Sequence, residues 1–147
     1  MTNVVKVQVT QQGFSVPKRA TEGSAGFDLH AGKCVYVPPQ QVVVCPTHLR
    51  MEFPEGMCGL ILPRSGLGSE GIVLANTVGL IDSDYRGEIM LMLYNRNPKG
   101  SQPIKVEEGD RVAQLMFIQP SIPTLVQTDQ VSETARGEGG FGSTGVQ

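Results

Sequence analysis

Ile89-Met-Leu-Met-Leu-Tyr94 is the stretch that decides the fold. Ile89, Leu91 and Leu93 alternate with Met90, Met92 and Tyr94, the two-residue period of a strand. Both sets are apolar or aromatic, which predicts a strand buried on both faces. The same period recurs on either side. Val5, Val7 and Val9 alternate with polar residues, as do Leu49, Met51 and Phe53, and Arg111–Ile118 is a further apolar run with β-branched and aromatic members. Turn residues punctuate these runs at Pro38-Pro39, Pro54-Glu-Gly56, Asn97-Pro-Lys-Gly100 and Glu108-Gly-Asp110. No window carries the period of a long amphipathic helix, and Ser65–Glu70 has room for one short helical turn. The reading is an all-β fold, a jelly-roll-like sandwich or barrel with at most one short helix.

The 147 residues are enough for one domain that buries roughly 70% of its unfolded surface. A net charge of −2 gives no general basic field, which argues against a nucleic acid polymer as partner and makes any anion site local. Met1–Thr10 is polar and alternating, and no apolar run is long enough to cross a bilayer. Cys34, Cys45 and Cys58 are odd in number, form no Cys-x-x-Cys pair, and have no partner His at zinc-like spacing in His30 or His48. These features predict a soluble cytoplasmic protein with free, mostly buried thiols and no membrane partner.

After the last strand the character changes. Gln119–Ala135 holds two prolines and then polar residues, and reads as an arm; its 17 residues could reach about 55–60 Å when extended. The tail, Arg136-Gly-Glu-Gly-Gly-Phe-Gly-Ser-Thr-Gly145, is half glycine but also carries a guanidinium, an aromatic ring and two hydroxyls. Bare backbone N–H groups, hydroxyls and an Arg suit a polyphosphate, and Phe141 offers a face for a base. A flexible linker is the competing reading of such composition. The expected organisation is a core over 1–118, an arm over 119–135 and a nucleotide-closing tail over 136–147, one domain in total.

Four further stretches are too specific for a plain β core: Ala25-Gly-Phe-Asp-Leu-His-Ala31, Pro63-Arg-Ser-Gly-Leu67, Gly79-Leu-Ile-Asp-Ser-Asp-Tyr-Arg-Gly87 and Gly109-Asp-Arg-Val-Ala-Gln-Leu115. With the tail, in order, content and spacing, they resemble the five motifs of the homotrimeric dUTP pyrophosphatases. The resemblance covers Ala25 to Gly145. It implies a jelly-roll-like subunit, a homotrimer with sites shared at subunit interfaces, and Mg²⁺-assisted hydrolysis of dUTP to dUMP and pyrophosphate. One departure is Phe27, where the first motif often has Tyr.

The resemblance also implies roles. Arg64, Ser65 and Gly66 would grip the phosphate chain, since Arg is a forked donor and Gly permits close approach; a turn whose Arg pairs with a surface carboxylate is the bland alternative. Asn76 and Val78–Tyr85 read as a hairpin, with Asn76, Leu80, Ile81 and Asp82 contacting base and sugar and Met90 as a pocket neighbour. Tyr85 under the sugar would exclude a 2′-hydroxyl, or serve as an ordinary core aromatic. Asp82 would activate the attacking water, being ionised at pH 7 with an ordinary carboxylate pKa of about 3.9; Asp84 is the competitor, read as a turn residue. Gln114 would contact the α-phosphate region, and Arg136, Phe141, Gly142, Ser143 and Thr144 would close over the triphosphate and the uracil. Mg²⁺ would be held mainly by phosphate oxygens, with Asp28 holding one of its waters; a strand-end turn acid is the competing reading of Asp28. Arg111 reads as structural or interfacial and Arg86 as surface. The rival enzyme, dCTP deaminase, shares the fold and needs a Glu base, for which Glu88 is the nearby candidate. The rival from another class is a non-catalytic trimeric β-sandwich.

Overall fold

The computed structural model of the chain describes residues 3–145; Met1 and Thr2 of the alternating start, and Val146 and Gln147 of the predicted tail, lie outside them. Eleven strands and one helix follow in order: β1 Lys6–Val9, β2 Phe27–His30, β3 Val35–Val37, β4 Val42–Pro46, β5 Leu49–Glu52, β6 Cys58–Pro63, α1 Ser65–Glu70, β7 Ile72–Leu74, β8 Gly79–Ile81, β9 Met90–Asn95, β10 Ile104–Val106 and β11 Arg111–Ile118. All strand pairs are antiparallel. The large sheets run β2-β11-β6-β8 and β4-β9-β7, and β1-β5 and β3-β10 form two ribbons. Most partners are far apart in sequence, as in a jelly roll.

The alternation explains the core. Leu29, Ile61, Ala113 and Leu115 of the first sheet share one apolar cluster with Cys45, Ile72, Leu91 and Leu93 of the second and Val35, Val37 and Val106 of a ribbon. Phe27, Phe117 and Phe53 stack edge to face at 5.6 and 5.5 Å between centroids, so Phe27 keeps the packing role of an aromatic at its position. The thiols are free: Cys34 is exposed, Cys45 and Cys58 are buried. Burial pushes the Cys45 thiol above its ordinary pKa.

The strand that decides the fold differs from expectation on one face. Leu91 and Leu93 are buried, but Met90 and Met92 are 42% and 41% exposed, because nothing among the described residues covers that part of the outer face of the second sheet. Val42 and Val44 of β4 are exposed on that sheet too, and Val44 stands opposite Met92. The hairpin expected over Asn76 and Val78–Tyr85 is also corrected. β7 pairs with β9 and β8 with β6, so Ala75–Val78 carries the chain from one sheet to the other. Its tight turn bonds Thr77 N–H to Leu74 O at 3.0 Å, with Thr77 at φ 64°. Helix α1 occupies the expected six residues and ends at Gly71, whose φ of 117° and contact with Asn97 leave no room for a side chain.

Candidate functional site

Sheet register gathers the first cluster. Gln114 of β11 stands opposite Asp28 of β2 on one side and Leu62 of β6 on the other. Arg64 follows β6 directly and carries the start of α1, which has no side-chain cap. The Asp28 carboxylate, 15% exposed, lies between two guanidiniums, 3.7 Å from Arg64 Nε and 3.9 Å from Arg111 Nη1. Arg64 also donates from Nη1 to Arg111 O at 3.2 Å, and Gln114 donates its amide to Pro63 O at 3.1 Å. Gly26 makes room for that amide, since a β-carbon there would stand 2.9 Å from Gln114 Oε1. Ser65 and Gly66, at the start of α1, are exposed beside this cluster. The result is a partly open cationic corner with main-chain N–H groups, suited to phosphate.

A second cluster forms around β8. This strand is outermost in its sheet, so among the described residues one edge of Gly79–Ile81 has no strand partner. Asn76 flanks it, with its amide nitrogen 3.4 Å from where a β-carbon of Gly79 would stand. Leu80 is 61% exposed. Asp82 follows the strand and is exposed, and its carbonyl accepts from Tyr85 N–H at 3.2 Å. The Tyr85 hydroxyl donates to Glu88 O at 2.9 Å and its ring lies across Gly87. Arg86 closes the loop on Ser83 O at 2.6 Å.

Within the β6–β8 pair, Asp82 and Arg64 lie toward opposite ends, with Asn76 and Gly79 at the Arg64 end. Gly59 faces Ile81 and Ile61 faces Gly79, so Asp82 leaves the sheet beside the start of β6 while Arg64 follows its end. Five residues of strand between Gly59 and Arg64 amount to about 16 Å. The tail is apart from both. Every residue from 119 to 145 is exposed except Gly139, and Phe141 is wholly so. Arg136 Nε donates to Gly139 O at 2.8 Å, and Ser143 N–H and Gly145 N–H bond Gly140 O and Gly142 O within the same segment. Arg136, Phe141, Gly142, Ser143 and Thr144 are therefore not brought to the sheet residues in a single copy. A groove of about 630 Å³, mostly apolar, is lined by residues such as Val5, Phe27 and Phe117 and contains none of the predicted site residues.

The model of the dUTPase family matches residues 12–145. The chain belongs to the dUTPase family. It is 44% identical over 152 aligned residues to the deoxyuridine 5′-triphosphate nucleotidohydrolase of Desulfitobacterium hafniense, covering 98% of this chain and 99% of that one. It is 47% identical over 138 residues to the protein of the same name from Actinobacillus pleuropneumoniae, covering 91% and 89%. Its fold is similar to the Staphylococcus bacteriophage 80alpha dUTPase solved with dUpNHpp, with a TM-score of 0.89 at 28% identity over 99% of this chain and 100% of that one.

Two features of this dUTPase-family site were not read from the sequence. Arg111, taken as structural or interfacial, stands against Asp28 and beside Arg64; only the β2–β11–β6 register reveals that, although its place inside Gly109–Leu115 was a signal. Glu88, the candidate deaminase base, has another occupation. Its Oε1 accepts His48 N–H at 2.8 Å and lies 3.5 Å from His48 Nδ1.

Proposed function

We propose that the chain hydrolyses dUTP to dUMP and pyrophosphate. The observation that carries the reading is the cationic corner of Arg64 and Gln114, built on the same sheet as the open edge of β8, in a chain of the dUTPase family. The β8 edge and Asn76 bond the uracil edge, with Leu80, Ile81 and Met90 around the base and sugar. A backbone edge that accepts from N3–H and donates to O4 meets the opposite pattern in cytosine, and unpaired groups at such a site cost a wrong base about 10⁴–10⁵-fold. Tyr85 excludes the 2′-hydroxyl. Asp82 takes a proton from water as its oxygen bonds the α-phosphorus and the bond to the bridging oxygen of the β-phosphate breaks. Arg64, Ser65, Gly66 and Gln114 hold the phosphates, and the tail closes with Arg136, Ser143 and Thr144 on the γ end and Phe141 with Gly142 over the base.

Among the described residues no three His, Cys, Asp or Glu side chains gather as a metal site. The donor set fits Mg²⁺ carried on the triphosphate, with Asp28, the acid of the cationic corner, holding one of its waters. Bound there, the ion neutralises phosphate charge.

A homotrimer with shared sites is part of the proposal. Two features support it: the separation of Arg64 from Asp82 along one strand, and the exposed apolar stripe Val42, Val44, Met90 and Met92. Among the described residues no helix is long and apolar enough to cross a membrane, and the free thiols support a cytoplasmic enzyme.

The test is a side-by-side assay of dUTP, dCTP, dTTP and UTP with Mg²⁺, scoring nucleoside monophosphate, pyrophosphate and ammonia. dUMP and pyrophosphate from dUTP alone are expected. Ammonia from dCTP would make the chain a deaminase, and no product from any of the four would leave a binding module.

A further inference from the structure

Across the turn between β4 and β5, three contacts clamp the segment that follows Tyr85. The Thr47 hydroxyl donates to Ile89 O at 2.7 Å, Ile89 N–H donates to Leu49 O at 2.8 Å, and Glu88 Oε1 accepts His48 N–H at 2.8 Å. The first two are ordinary links between neighbouring segments. The third ties the Glu88 side chain to the main chain of His48. His48 sits at φ 58°, a left-handed conformation uncommon for any residue but Gly. Its ring is fixed on three sides: Nε2 donates to Gly32 O at 2.8 Å, Phe14 packs edge-on at 4.8 Å between centroids, and Nδ1 faces the Glu88 carboxylate. Gly32 is shaped to this ring, since a β-carbon there would come within 2.7 Å of it. The main chain of Glu88 is in turn the anchor of the Tyr85 hydroxyl.

We infer that Glu88 and His48 are a positioning pair for Tyr85 and through it set the preference for deoxyribose over ribose. The inference rests on Tyr85 being the sugar gate in the proposed reaction. Tyr85 is 44% exposed and its ring rests on Gly87, so the carbonyl its hydroxyl bonds helps to set its place. That carbonyl shares a peptide group with Ile89 N–H, which bonds Leu49 O, and the side chain of the same residue adds a second tie to this turn, forty positions earlier.

The experiment measures kcat/KM for dUTP and for UTP in the full-length protein and its variants. Glu88→Ala is expected to lower the dUTP:UTP ratio about tenfold, the worth of one lost hydrogen bond at a specific site, chiefly through UTP and the KM for dUTP, with kcat for dUTP largely kept. Glu88→Gln, whose amide oxygen still accepts His48 N–H, restores the ratio. Tyr85→Phe removes the hydroxyl, and adding Glu88→Ala to it should change the ratio no further. A merely structural role would lower kcat for both nucleotides together and add in the double variant. If Glu88→Ala does not fold, Glu88→Met is the substitute, since it keeps the length of the side chain and loses the acceptor for His48 N–H, and the same fall is expected. A ratio within about twofold of wild type in whichever variant folds overturns the pair while leaving the hydrolase reading standing. A wild type that turns over neither nucleotide overturns that reading, and this inference with it.

Discussion

The sheet-borne half of the proposed site and the tail proposed to close it are built in opposite ways. Asp28, Arg64, Arg111 and Gln114 are tied to strands and to one another before any nucleotide arrives. Arg136 and Ser143 have bonds only within their own ten residues. Preorganised donors need little reorganisation when charge develops. A self-bonded tail must be recruited, and its ordering cost is met by the ligand. The difference teaches that, in the proposed reaction, selectivity and commitment are separable: the sheet would read the nucleotide, and the tail would respond to a complete triphosphate.

The largest test of this division is Asp82→Asn. Turnover should fall by about 10³-fold or more, since a general base alone supplies about 10²–10⁴, while binding of a non-hydrolysable dUTP analogue by calorimetry stays near wild type. Unchanged turnover would place the base elsewhere. Ending the chain before Arg136 comes next. Two or three charge-assisted hydrogen bonds at about 1.5–3 kcal/mol each are lost, so activity should drop by about 10²-fold at least, with melting temperature and oligomeric state unchanged. A truncated protein of full activity would end the lid. Arg64→Ala should raise the KM for dUTP about 10- to 100-fold and, unlike the truncation, should also lower the melting temperature, because Asp28 loses a partner. An unshifted melting curve would mean that the corner is not preorganised. The smallest effect concerns the thiols. Exposed Cys34 should be alkylated by iodoacetamide well before Cys45, whose raised pKa and burial both suppress the thiolate; equal rates read by mass spectrometry would mean that the core opens readily.

Much of the molecule was legible in the sequence for local reasons. The two-residue period at Ile89–Tyr94 and Leu49–Phe53 gave strands, and Ser65–Glu70, bounded by Pro63 and Gly71, gave the one helix. Five ordered stretches gave the family. What was not legible depends on partners far along the chain. The exposure of Met90 and Met92 reflects which face of β9 lacks a second layer, which alternation of apolar residues does not reveal. The false hairpin at Asn76 arose because two short strands joined by a tight turn usually pair, whereas here each found a longer partner in β9 or β6. The contact of Arg111 with Asp28 crosses eighty-odd residues and exists only in the register of β11 with β2. His48 gave no signal at all, since its left-handed backbone is imposed by the turn it occupies.

The unpaired edge of β8 reaches beyond nucleotide recognition. An edge whose N–H and C=O groups are free for a base is equally free for a strand of any other chain, and natural sheets blunt such edges by keeping them short and charged. Here the edge is three residues long and is followed by Asp82 and Asp84. Asp82 and Asp84 are thus placed to discourage pairing of this edge with another chain. Preparations of Asp82→Asn or Asp84→Asn belong under light scattering before a loss of turnover in them is read as lost chemistry.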